Sequence, residues 1–190
     1  MHPKCPRNCS KSVESVARRL ALRGREIRIK FMPGLSAGAR KLYSNRPYGQ
    51  PVYAATFVRK RQIVLDRELQ RQPRELKRIL VHELFHFVWA RLGNPSRASF
   101  ERLLDREWKR RARGELGWSA EMRKSRLARR PQAARSGQKW RDYACESFCD
   151  TAAWVYSGLR RHPEFTLARR HRKLRADWFR ATFGQPEISI

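Results

Sequence analysis

The stretch Ile79-Leu80-Val81-His82-Glu83-Leu84-Phe85-His86-Phe87-Val88-Trp89-Ala90 is apolar almost all round, interrupted only by His82, Glu83 and His86. It sits inside a longer run, Arg74 to Leu92, whose first turns hold good helix formers and which meets stop signals at Gly93 and Pro95. The pattern predicts a helix covered by neighbours on every side, in which each charged or imidazole group needs a specific partner. His82 and His86 stand four residues apart, so on that helix both project from one face, one turn apart, within reach of a single zinc ion. Glu83 lies one step around. There it would not ligate the metal, but it could take a proton from a zinc-bound water and pass it to a leaving amine. The competing reading is a pair of core histidines satisfied by hydrogen bonds.

Working outward, Val13, Val16, Ala17, Leu20 and Ala21 recur at helical spacing and predict an amphipathic helix from Ser12 to Leu22, ending near Gly24. Ile27, Ile29 and Phe31 alternate with basic residues, the period of a half-buried strand. Leu35 to Pro51 is dense in Ser, Gly, Asn and Pro and reads as a loop, with room for a short helix at Ala37 to Leu42. Val52 to Val58 and Gln62 to Leu65 form a predicted hairpin leading into the apolar helix. Downstream, helices are expected at Ser99 to Arg113, Tyr143 to Tyr156 and Phe165 to Phe183, the last with Leu167, Leu174, Trp178 and Phe179 facing inward. Between them, residues 108–141 are dominated by Arg and Lys, with Pro131, Ser136 and Gly137, and read as a basic, flexible insert. The expected architecture is α+β: a small, mostly antiparallel sheet packed on the apolar helix, followed by a helical C-terminal half.

The length of 190 residues fits a single domain, and 41% hydrophobic residues suffice for a core. Lys and Arg number 44 against 17 Asp and Glu, a net charge of +27 that points to an acidic partner. No apolar run approaches the roughly 18 residues that a membrane helix requires. Lys4, Cys5, Arg7 and Cys9 are not followed by a continuous apolar segment, so a cytoplasmic address is expected. The cysteines form two equally spaced pairs, Cys5/Cys9 and Cys145/Cys149. They can be free or buried thiols, or jointly hold a structural zinc.

A catalytic zinc takes three protein ligands, so a further donor must lie elsewhere. The metzincin arrangement is excluded, because Trp89 and Leu92 occupy the positions of its glycine and third histidine. The best donor is Glu146 in Glu146-Ser147-Phe148-Cys149-Asp150, on an apolar helix with Asp150 one turn later. Glu101, Asp105, Glu115 and His162 are rivals, and Glu146 can alternatively pair with Arg141 or another cation. With these residues the chain resembles the gluzincins, the thermolysin-like branch of the zincins, over roughly its middle half. The resemblance implies a metallopeptidase acting on a peptide or protein substrate. His82, His86 and Glu146 would bind Zn2+, Glu83 would serve as general base and acid, and Asp150 would hold the imidazole of His82 from behind. It also implies an edge strand above the helix for an extended substrate, for which Val52 to Val58 is the candidate. Tyr143, Tyr156, His162 and His171 are candidates for stabilising an oxyanion, none standing out.

Cationic clusters at Lys109 to Arg113, Arg123 to Arg130 and Arg169 to Lys173, with Trp108, Trp118, Trp140 and Trp178 nearby, suit a phosphate backbone or a solvated surface equally. Two alternatives follow: a nucleic-acid-binding protein with a structural zinc, and a DNA-associated protease similar to the SprT type. The latter uses a third histidine, and no histidine follows His86 until His162.

Overall fold

Helix α2 (Pro73–Arg91) forms where the apolar run predicts it. Pro73 opens it, a position where a fixed φ suits the helix and the missing N–H was unpaired anyway. At the other end Leu92 turns to extended geometry. The computed structural model describes residues 7–39, 41–45, 48–129, 137–184 and 188–190, the first five by backbone alone.

Around α2 stand α1 (Arg7–Leu20), α3 (Asn94–Lys109), α4 (Trp118–Ala128), α5 (Gln138–Tyr156) and α6 (Arg169–Phe183). One apolar cluster draws on all six: Val16 and Leu20 of α1, Phe85 and Val88 of α2, Phe100 of α3, Leu127 of α4, Phe148 of α5 and Phe179 of α6. Its centre is aromatic. Phe85 stacks on Tyr156 at 5.3 Å, and Phe148 meets Phe179 and Trp89 at 5.0 Å each. Burying one such ring is worth about 1.5 to 3 kcal/mol, so this cluster fixes how α2 and α5 lie against each other.

The remaining flank of α2 is covered by strand β6 (Ala54–Phe57), which pairs antiparallel with β7 (Gln62–Asp66) as the predicted hairpin requires. Strand β2 (Arg28–Met32) joins the other side of β7 in parallel, leaving β6 at the sheet edge. The expected α+β class with a helical C-terminal half is therefore found, but the sheet is mixed. Two smaller sheets accompany it among the described residues. Strands β1 (Leu22–Arg23) and β8 (Ile188–Ser189) pair in parallel, and β3 (Leu35–Gly38) lies between β4 (Lys41–Ser44) and β5 (Gln50–Pro51).

Among the described residues, the β3 sheet stands where a loop is expected from Leu35 to Pro51, and Ala37, Gly38, Lys41 and Leu42 are in strands instead of a short helix. Its strands are too short for an alternating pattern to register, and β3 is followed by Ala39, a non-glycine residue at φ 48°. A second correction concerns residues 108–141: Trp118–Ala128 is a helix that buries Ala120, Lys124 and Leu127 against the core. Arg130, Pro131 and Ser136 lie outside the described residues. A third concerns α6, where Leu174 is 42% exposed and the neighbouring Arg175 points inward, fully buried. Among the described residues no helix is long and apolar enough to cross a membrane.

Candidate metal centre

Helices α2 and α5 run against each other with their polar residues meeting at one place. The Nδ1–H of His82 donates to Asp150 Oδ1 at 2.7 Å, which turns the opposite nitrogen toward Glu146, whose Oε2 lies 3.3 Å from His82 Nε2. The second oxygen of Glu146 accepts from Arg123 at 2.8 Å, not from Arg141. Asp150 is itself held at its other oxygen by the backbone N–H of Ala120, at 3.0 Å, in the first turn of α4. The His86 ring lies 5.1 Å from that of His82, and two sulfurs face its Nδ1, Cys149 at 3.5 Å and Cys145 at 3.6 Å.

Glu83 is buried on the same helix and is tied to the sheet edge: Thr56 of β6 donates its hydroxyl to Glu83 Oε2 at 2.6 Å. A cleft of about 330 Å³ opens there. Pro51, Val52, Tyr53 and Ala54 form one wall, Arg78, Ile79, His82 and Glu83 the floor, and Trp118, Ser119, Asp150 and Glu164 the other wall.

The electrostatics follow from this crowding. Burial alone would lower the pKa of His82, but Asp150, Glu146 and Glu83 outweigh it and raise the value well above the ordinary one. Burial likewise opposes ionisation of Glu146, yet the hydrogen bond from His82 and the charges of His86 and Arg123 bring it down to about 2. The Cys145 thiol is lowered to about 6 by its hydrogen bond with Cys149, against burial, while burial and Cys145 push Cys149 up.

The donor chemistry fits zinc. Two ligand atoms about 2.0 to 2.2 Å from a tetrahedral ion stand about 3.4 Å apart, close to the 3.3 Å between His82 Nε2 and Glu146 Oε2. Among the described residues, the three-donor group whose ligand atoms all lie within 4.8 Å of one another is His82, His86 and Cys149, which brings in a sulfur and does not include Glu146.

The other candidates lie elsewhere. Tyr143 donates its hydroxyl to Glu115 at 2.6 Å within a buried network, so it is not part of the cleft wall. Tyr156 packs its ring on Phe85 in the core, and His162 Nε2 pairs with Glu75 at 3.1 Å. His171 is buried on α6. Of the rival ligands, Glu115 is claimed by Arg175 at 2.8 Å and Asp105 by Lys109 at 2.6 Å. Cys5 and the side chain of Cys9 lie outside the described residues, so only Cys145 and Cys149 can be placed, both as free thiols. Sequence reasoning missed Thr56, Arg123 and the placement of the two cysteines at His86 Nδ1. The last was findable: Cys145 and Cys149 keep the same four-residue spacing as Glu146 and Asp150 on the same helix, and so form the adjacent ridge.

Compared with known proteins, the chain matches no family model, no curated protein and no solved structure.

Proposed function

We propose that this protein is a zinc-dependent metallopeptidase, with His82, His86 and Glu146 as the residues that would hold the metal. One observation carries the reading: Asp150 and Glu146 of a single helix meet the two nitrogens of the His82 imidazole, and His82, Asp150 and Glu83 line the same cleft. Bound there, zinc would supply a Lewis acid toward a peptide carbonyl and make water more acidic. Glu83 takes the proton from the attacking water and returns it to the leaving amine, and Thr56 holds its Oε2 in a fixed direction for that transfer. Asp150 accepts the Nδ1–H of His82, so that Nε2, which faces Glu146, is the nitrogen a metal would take. The edge position of β6, with Tyr53 and Ala54 lining the cleft, suits an extended peptide that adds itself as a strand. Free thiols at Cys145 and Cys149 accord with a reducing, cytoplasmic compartment.

Glu83→Gln is the decisive variant. It should retain one zinc per chain and lose about 10²- to 10⁴-fold in peptide hydrolysis. A wild-type protein that holds no zinc, or a variant that cleaves as well as wild type, would sink the reading.

A second reading concerns partners and rests on a groove of about 480 Å³ lined by Arg123, Arg126, Leu127, Arg129, Lys139 and Asp142. Four cations facing one carboxylate suit a nucleic-acid backbone, which would tether a substrate near the cleft because Arg123 also contacts Glu146. Binding of a single-stranded oligonucleotide should then weaken steeply with salt and fall in an Arg126→Glu, Arg129→Glu variant. Salt-independent or negligible binding would count against it.

A further inference from the structure

On each histidine of the centre the Nδ1 atom meets side chains of α5, and His82 meets Glu146 of the same helix through Nε2 as well. For His82 the group there is the Asp150 carboxylate at 2.7 Å. For His86 it is a pair of sulfurs, Cys149 at 3.5 Å and Cys145 at 3.6 Å, one turn apart on the helix. A metal-binding imidazole needs an acceptor for its second N–H, or its tautomer and ring angle drift and affinity drops. Distances of 3.5 and 3.6 Å suit an N–H donating to sulfur.

We infer that Cys145 and Cys149 act together as positioning residues for His86, accepting its Nδ1–H and leaving Nε2 for the metal, as Asp150 does for His82. This rests on the metal site proposed above. Because either sulfur can accept, the two are redundant, and losing one leaves the ring held by the other. The spacing alone does not separate this role from direct ligation, since nitrogen and sulfur on one tetrahedral zinc stand about 3.6 Å apart. The shared engagement of Nδ1 from α5 favours the positioning role: Nε2 is then the atom each ring would offer a metal, and Glu146 stands beside that of His82.

The test measures zinc affinity by chelator competition in wild type, Cys145→Ala, Cys149→Ala, the double alanine variant and a double serine variant. Circular dichroism checks that each is folded. Single variants should bind within about threefold of wild type, the double alanine should bind about 10- to 100-fold more weakly, and the serine pair, which keeps acceptors, should recover part of the loss. Two measurements on wild type need no variant. Cobalt-substituted protein should lack a sulfur-to-cobalt charge-transfer band, and ¹⁵N spectra of the zinc form should put the His86 proton on Nδ1. A double alanine variant that binds as tightly as wild type overturns the inference, as does a charge-transfer band, which would make sulfur a ligand. Wild type without zinc would instead overturn the site reading, and the inference with it.

Discussion

Gly117 precedes α4 at the point where that helix meets Asp150, and a Cβ there would lie 2.2 Å from the Asp150 carboxylate. Its φ of −176° is open to any residue, so the requirement for glycine comes from close approach alone. Gly117→Ala should push Asp150 away from both His82 and the N–H of Ala120. The expected result is a zinc affinity about 10- to 100-fold weaker by chelator competition, with thermal stability reduced as well. An unchanged affinity would mean that Asp150 does not hold His82. Thr56 makes a separate prediction. Thr56→Val removes the hydroxyl from Glu83 without touching the imidazoles, so turnover should fall by up to about 100-fold while zinc content stays at the wild-type level. At this scale the sequence was readable where spacing itself encodes chemistry, as at His82, Glu83 and His86. Gly117 and Thr56 were not readable, because their importance comes from partners 33 and 27 residues away that only the fold supplies.

Helix α5 carries two functions on two faces. Toward α2 it presents Cys145, Glu146, Cys149 and Asp150; on its other side Ser147 and Thr151 accept from a fully buried Arg175 on α6, and Tyr143 donates to Glu115 beside it. Arg175 also binds Glu107 at 2.6 Å and Glu115 at 2.8 Å, and Lys124 of α4 adds a bond to Glu115 at 2.9 Å. This cluster ties α3, α4, α5 and α6 together behind the candidate centre. Arg175→Met would leave two buried carboxylates short of their main cation, and the variant should lose about 3 to 5 kcal/mol in chemical denaturation. A loss below about 1 kcal/mol would mean that the cluster is not what holds α5. The elements were legible where burial is apolar: α2, α5 and the β6–β7 hairpin follow the hydrophobic pattern. Where burial is polar the pattern misleads. Trp118–Ala128 looks like solvated insert because Lys124 is one of its few buried residues, and Leu174 looks more inward than Arg175 on any hydropathy argument.

For the whole molecule, charge is sorted by depth. The net charge of +27 is carried mainly on the surface, whereas Glu83, Glu107, Glu115 and Asp150 are among the buried groups. Burial alone would raise the pKa of Glu115, but Arg175 and Lys124 hold it at about 2, below its ordinary 4.5. A depressed folded-state value means the unfolded chain binds the proton more readily. The stabilisation is therefore complete above about pH 4.5 and is lost as pH falls toward 2. Stability measured by chemical denaturation should fall through that window, and Glu115→Gln should flatten the fall. Protonation of surface carboxylates adds positive self-repulsion in the same range, so added salt should slow the loss without abolishing it.

Anomalous diffraction at the zinc edge, from crystals grown with zinc, addresses the metal centre most directly. The predicted result is one peak about 2.0 to 2.2 Å from His82 Nε2, a His86 nitrogen and a Glu146 oxygen, with Glu83 beside it but not bound. A map with no peak between those residues, or a peak held by the sulfurs of Cys145 and Cys149 with Glu146 still on Arg123, would contradict it.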